Sequence, residues 1–144
     1  MARVLEQLPE GLDAALARIG DRWSLLVVGA LLAGPRRFNE LQEGLDGIAT
    51  NVLSQRLKHL ERLGLVVATP YSERPPRYSY GLTASGSELA GAVRLLTQWG
   101  AQQAGVAAEG PIHAECGTPI EARWYCPTCS RVLTDEERDD PGFI

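Results

Sequence analysis

Cysteine is scarce in this chain of 144 residues, and all three cysteines lie between residues 116 and 129. A small, odd number argues against a disulfide framework and suits a reducing compartment. The chain also lacks an apolar run near the ~20 residues that a membrane-spanning helix needs. Its start, MARVLEQLPE, has neither the apolar core nor the cleavage site of a signal peptide. These absences predict a cytoplasmic protein with no membrane partner.

Positive charge is also in short supply, because the net charge is -4 at pH 7. The deficit is local: residues 109–144 carry three basic and eight acidic side chains, whereas residues 36–80 carry seven basic and five acidic ones. Contacts to nucleic-acid phosphates depend on local rather than total charge. The balance therefore neither excludes nor argues for a DNA-binding protein.

Motifs of catalysis are missing as well. The sequence shows no nucleophile paired with a base, no glycine loop that could cradle a phosphate and no convergent carboxylates, so we do not expect an enzyme. The length and the 44% hydrophobic content suit one compact core with a small appendage.

Helical periodicity dominates the first half of the chain. Apolar residues follow helical spacing over 10–19, and Asp21 is placed to cap a second, mostly apolar helix that ends at Gly34-Pro35. A short helix carries Phe38, Leu41 and Leu45 on one side and is followed by a glycine-containing turn. This order predicts a helical core that presents a helix-turn-helix.

The next segment, residues 49–63, predicts an amphipathic helix. Leu53, Leu57 and Leu60 fall on one face, and an advance of about 100° per residue puts polar side chains on the other. A helix that reads the major groove needs amide, hydroxyl and basic groups on its outer face. The candidate DNA contacts on this helix are Thr50, Asn51, Ser54, Gln55 and Lys58. A generic solvated surface helix would have the same pattern, so this helix alone does not show that the protein binds DNA.

A hairpin follows that helix and favours the DNA-binding interpretation. LVVATP predicts a strand stopped by Pro70, YSERPPR a basic turn and RYSYGL a returning strand. Arg74 and Arg77 in the turn could enter the minor groove or hold the backbone. Thr83 then caps one long final helix that includes Trp99. We expect a mainly α-helical fold with a small β-hairpin wing, the winged helix-turn-helix.

Several strings together resemble a known family. IGDRWSLLVVGALLAGPRRFNEL, VLSQRLKHLERLGLV, PPRYSYGLTASG and LLTQWG look like the HxlR type of winged-helix regulators, relatives of the MarR group. The resemblance implies a bacterial homodimeric transcription factor that binds a double-stranded DNA operator. It implies that residues 49–63 form the recognition helix, that 71–77 form the wing and that the first and last helices make the dimer. By the same resemblance, the DNA backbone is contacted by Arg36, Arg37 and Arg56. The helical count, however, puts Arg56 beside the apolar face of its helix, where it could pair with a carboxylate.

The chain departs from this family at one place. Many members carry a cysteine just before the first helix, in some cases as a redox switch, whereas LPEGLDAAL here contains none. A thiol sensor at that position is therefore ruled out. A cleft beside the dimer helices could hold a small-molecule effector, but no residue identifies one.

The C-terminal cysteines form a separate motif. His113 and Cys116 are separated by two residues, and so are Cys126 and Cys129. Two such pairs joined by a short stretch are the ligand arrangement of a structural zinc ribbon, which a segment too small for a core would need. A redox-active CxxC pair and a tail with unpaired thiols are the alternatives.

The expected organisation has four parts: residues 1–103 form the winged-helix and dimerisation domain, 104–111 a linker, 112–134 the zinc-ribbon-like knuckle and 135–144 an acidic tail. Two other function classes stay open. The chain could be a protein-interaction adaptor that keeps the winged-helix fold, or a metal- or thiol-responsive sensor that uses the C-terminal Cys/His cluster.

Overall fold

The computed structural model describes residues 9–107 and 110–137. The chain divides into two compact units, the first ending at Val93 and the second beginning at Arg94. The division falls within the last long helix, before residue 103, where we expected the domain boundary. Residues 1–8, 108–109 of the expected linker and 138–144 of the acidic tail lie outside the described residues.

Two helices open the first unit, α1 (Glu10–Ile19) and α2 (Arg22–Leu31). Asp21 caps α2 as expected: its Oδ1 accepts the Ser24 N–H at 2.9 Å, and its Oδ2 accepts the buried Ser24 hydroxyl at 2.6 Å. Gly34 follows α2 with φ of 132°, a backbone conformation that a side chain would strain. The sequence signals for the start and the end of this helix are therefore confirmed.

The helix-turn-helix consists of α3 (Phe38–Gly44) and α4 (Thr50–Arg62). The turn between them includes Gly47, whose φ is 80°. Both helices point apolar side chains inward against α2. The buried core of the unit contains Ile19, Val27, Val28, Leu31, Leu41, Leu45, Ile48, Leu53, Leu57, Leu60 and Val66.

The wing is a three-stranded antiparallel sheet rather than a simple hairpin. Strand β1 (Arg36–Arg37) pairs with β3 (Pro76–Leu82), which also pairs with β2 (Val66–Glu73). The prediction that Pro70 stops the first wing strand is wrong, because β2 continues to Glu73 with a register shift between Pro70 and Ser72. Proline is tolerated there because β2 is an edge strand.

The prediction of one long final helix is also wrong. Thr83 caps only a short helix, α5 (Ala84–Ser87), by accepting the Gly86 N–H at 3.1 Å, and α6 (Ala90–Ala104) then begins separately. Gly86 is buried, and a Cβ built on it would lie 2.1 Å from the Leu65 carbonyl oxygen. Close packing of the short helix on the start of the wing explains why glycine occurs here.

The second unit contains a small hairpin of β4 (Tyr125–Cys126) and β5 (Arg131–Val132), followed by a 3₁₀ turn at Asp135–Glu137. A single antiparallel bridge joins Ile112 to Pro119. None of the helices in the described part of the chain has the length and apolarity that crossing a bilayer requires.

Candidate nucleic-acid interface

Helix α4 presents its predicted polar face to solvent. Asn51, Gln55 and Lys58 are exposed, as is Thr50 in the first turn, while Ser54 is half-buried. The apolar side of the same helix is fully buried through Leu53, Leu57 and Leu60. This separation leaves amide, hydroxyl and ammonium groups on one outward surface, which is the chemistry that base edges and phosphates accept.

Arg56 lies on the flank of α4 and contacts another part of the protein. Its guanidinium lies 3.3 Å from Asp21 Oδ2, the carboxylate that caps α2. Partial burial by itself would raise the pKa of Asp21, but hydrogen bonds from Ser24 and the charge of Arg56 hold that pKa below its usual value. The carboxylate partner that the helical count allowed for Arg56 is therefore present, and a DNA contact by Arg56 stays a prediction.

His59 forms a second anchor for α4. Its Nε2 lies 2.7 Å from the Arg18 carbonyl oxygen near the end of α1. Together, Arg56 and His59 connect α4 to the start of α2 and the end of α1. These polar links fix the direction of α4, and thus of its outward face, relative to the core.

Apart from Arg56, the arginines assigned to the DNA backbone lie on or beside the wing sheet. Arg36 and Arg37 form β1 and pair with Tyr80 and Ser79 of β3. Arg74 lies in the turn between β2 and β3, and Arg77 lies on β3. All four side chains are exposed in the described structure. Strand β1 is too short to show alternation in the sequence, so its pairing with the wing could not be predicted from periodicity.

A cleft of about 460 Å³ opens between the wing, α3 and α4. The guanidinium of Arg37 lies 4.4 Å from the centre of the Tyr71 ring, a cation–π contact at the edge of this region. Tyr71 falls at the register shift of β2. The residues that line the cleft are Phe38, Asn39, Ser54, Tyr71, Pro76, Arg77, Tyr78 and Tyr80.

Sequence reasoning did not assign roles to the polar groups Asn39, Tyr71 and Tyr78, or to Tyr80, whose pKa is raised by burial and by Glu61. The clustering of tyrosines between residues 71 and 80 was the sequence feature that pointed to this cleft. The cleft could not be predicted from it, because its position depends on how β2 and β3 bring these rings towards the first residues of α3.

The C-terminal donors form two pairs. His113 Nδ1 lies 3.2 Å from Cys116 Sγ, and the Cys129 N–H donates to Cys126 Sγ at 3.5 Å. Hydrogen bonds involving Thr118, and then His113, lower the pKa of the Cys116 thiol to about 7. Across the described residues, no three His, Cys, Asp or Glu side chains form a group that could hold a metal ion.

Two arginines near these pairs are already engaged. Arg123 pairs with Glu121, and Arg131 donates two hydrogen bonds to Glu137, whose pKa falls to about 2 chiefly through that contact. Each guanidinium therefore has a carboxylate, and not a thiolate, as its partner in the described structure.

Comparison with known proteins agrees with the fold. Residues 18–107 match the model of the HxlR-like helix-turn-helix family. An uncharacterized HTH-type transcriptional regulator of Mycobacterium tuberculosis is 36% identical over 140 residues, which cover 93% of this chain and 88% of that protein. Since this similarity extends past residue 107, it includes part of the C-terminal segment.

Solved structures give the same assignment. A candidate MarR-family regulator of Enterococcus faecalis is 38% identical with a TM-score of 0.57, over 66% of this chain and 86% of that one. A candidate transcription factor of Pseudomonas aeruginosa is 32% identical with a TM-score of 0.64, over 88% of each chain. This chain belongs to the HxlR-like helix-turn-helix family of DNA-binding transcriptional regulators.

Proposed function

We propose that the protein acts in the cytoplasm as a homodimer that binds a pseudo-palindromic operator, with α4 of each subunit in the major groove and the wing on the adjacent backbone. The observation that carries this proposal is the exposed polar face of α4, which is held in one direction by Arg56 and His59. A helix that reads bases must be fixed in this way, because a small rotation would move its side chains off the base edges.

The dimer is supported by the apolar side chains that α1 and α6 leave exposed. Helix α6 has no buried residue over its fifteen positions, and Ile19 is the one buried residue of α1. Trp99 on α6 is 62% exposed and Leu16 on α1 is 53% exposed. Isolated helices of this length are marginal in water, so most of their stability must come from packing of an apolar face. A second copy of the chain supplies such a surface.

The cleft beside the wing suits a phosphate of the DNA backbone. Arg37 and Arg77 provide positive charge, and the hydroxyls of Ser54 and Tyr71 and the amide of Asn39 provide hydrogen-bond donors. Most hydrogen bonds to DNA go to the phosphate and the sugar, and they set the register of the protein on the duplex. A phosphate in this cleft would set the depth at which α4 enters the major groove.

Gel-shift titration with the intergenic DNA upstream of the protein's own gene tests the proposal. We expect a complex that survives excess nonspecific DNA and weakens steeply with salt, because binding releases counterions from the phosphates. If no upstream fragment gives a salt-sensitive specific complex, the operator proposal fails.

A triple variant of Gln55, Lys58 and Arg77 to alanine separates operator binding from the adaptor function. Loss of the specific complex with an unchanged circular dichroism spectrum supports the proposed face. An unchanged affinity would instead favour a winged-helix adaptor that contacts protein. Glu43→Ala, an exposed change at the end of α3, provides a folded control.

A further inference from the structure

The C-terminal segment has defined turns but no core to hold them. Between residues 110 and 137, all of which are described, no side chain is buried. Ile112, Trp124 and Tyr125 are more than half exposed, although Tyr125 belongs to the paired strand β4. Isolated hairpins are marginally stable at best in water, and segments of this size need a cross-link or a metal ion.

The first turn brings one nitrogen and one sulfur donor together. The Gly117 N–H donates to the His113 carbonyl at 2.7 Å, and the His113 N–H donates to the Thr118 carbonyl at 2.9 Å. Gly117 has a φ of 69°, which allows this tight closure. The two donor atoms, His113 Nδ1 and Cys116 Sγ, lie 3.2 Å apart. Ligands of a tetrahedral zinc ion with ordinary bond lengths lie about 3.5 Å apart, so this spacing is close to that of a half-site.

The second turn links its two cysteines through a backbone hydrogen bond to sulfur. Cys126 pairs with Arg131 across the hairpin, and the Cys129 N–H points at Cys126 Sγ. Ser130, directly after the second cysteine, has a φ of 54°, unusual for a residue with a side chain. An N–H directed at sulfur favours the thiolate, which is the form that binds metals.

We propose that a zinc ion joins these two pairs, with His113, Cys116, Cys126 and Cys129 as its four ligands. Three thiolates and one imidazole are a ligand set of closed structural zinc sites, and the energy of coordination is then energy of folding. In the described residues these donors form two pairs, and no three of them make one group, so the proposal requires the two turns to come together on the ion. The ion therefore supplies the cross-link that the coreless segment lacks, a property separate from DNA recognition by the first unit.

Metal analysis of the full-length protein, purified without chelators, tests this site. We expect close to one zinc per chain by mass spectrometry. Cobalt substitution should give the visible bands of a tetrahedral cobalt–thiolate centre. Removing the zinc with a chelator should expose the segment beyond residue 110 to protease, while operator binding by the winged helix can be measured separately.

Single variants assign the ligands. Cys116→Ser, Cys126→Ser, Cys129→Ser and His113→Ala should each lower the zinc content several-fold, whereas Thr128→Ala, inside the second turn but not a ligand, should keep it. Protein that contains no zinc and binds none when zinc is added would overturn the proposal. A reversible Cys126–Cys129 disulfide would do the same in favour of a redox pair if the reduced protein binds no zinc. Zinc retained by any of the four ligand variants would overturn the assignment of that residue.

Discussion

At the level of single residues, Asp21 both caps the start of α2 and holds α4 in place through Arg56. Its carboxylate accepts two hydrogen bonds from Ser24 and pairs with Arg56 on α4. The N-cap could be predicted from the sequence because a capping residue and its helix are adjacent in the chain. The pairing of Arg56 with Asp21 could not be predicted, because these residues are 35 positions apart and their contact depends on how α2 and α4 pack.

Replacing Asp21 with alanine should lower the free energy of unfolding by about 0.5–2 kcal/mol, because α2 loses its cap. The pKa of Asp21 is depressed in the folded protein, so its contribution is present above the unfolded pKa, near 3.9, and is lost as the pH falls through the folded value. Denaturant titrations at pH 7 and below pH 4 should show a smaller difference between variant and wild type in acid. Asp46→Ala, in the exposed turn after α3, is the control. A difference in the free energy of unfolding between Asp21→Ala and wild type that grows in acid would contradict this role of Asp21.

Arg56 and Lys58 make a matched pair, since both are basic and lie two positions apart on α4. Lys58→Ala should reduce the slope of log affinity against log salt by about 2, because the homodimer loses one phosphate contact in each subunit. Arg56→Ala should leave that slope unchanged and instead reduce stability by up to about 1 kcal/mol, as its pair with Asp21 is partly exposed. Salt-dependent anisotropy titrations measure both; an equal loss of slope in the two variants would show that Arg56 contacts DNA.

At the level of elements, the helices follow from the sequence more completely than the wing does. Helix α4 and its buried leucines match the predicted face because each turn repeats the same apolar signal. The extent of β2 was mispredicted because a strand's tolerance of proline depends on whether it is an edge strand, which is a property of the sheet. The gap between α5 and α6 depends on the packing of Gly86 against Leu65, which no local pattern reveals.

Two glycines near that gap should respond in opposite directions. Gly86→Ala should destabilise the protein by about 1–3 kcal/mol, the usual range for overpacking, because its Cβ would overlap the Leu65 carbonyl. Gly91→Ala, in the first turn of α6 with open space around it, should be neutral or stabilise by up to about 1 kcal/mol. Thermal unfolding of both variants measures this; equal effects would contradict the close packing of α5.

The contact between Arg37 and Tyr71 should matter for DNA affinity. Tyr71→Ala should weaken operator binding several-fold, because it removes a ring that positions Arg37 and a hydroxyl that lines the cleft. Tyr71→Phe should keep the stacking and lose only the hydroxyl, so an intermediate affinity is expected. Anisotropy titrations compare them with Val67→Ala on the same strand, and identical affinities for wild type and Tyr71→Ala would rule out this role.

At the level of the whole molecule, the proposed dimer covers apolar side chains of α1 and α6 that the described parts of one chain leave exposed. Leu16→Glu and Trp99→Glu should each shift the protein towards monomers in sedimentation velocity and reduce operator affinity. Val67→Glu, an equally apolar and exposed position on the wing, should leave the dimer intact. A wild-type protein that sediments as a monomer at micromolar concentration would contradict the dimer.

Footprinting of the wild-type protein on its operator tests whether a homodimer binds DNA through both of its α4 helices. A homodimer that places one α4 in each of two successive major grooves predicts two protected half-sites related by a two-fold axis, with centres about 10 base pairs apart. Protection should disappear from both halves together in the Gln55, Lys58 and Arg77 triple variant. A single protected patch without symmetry, or protection that the triple variant retains, would contradict the account.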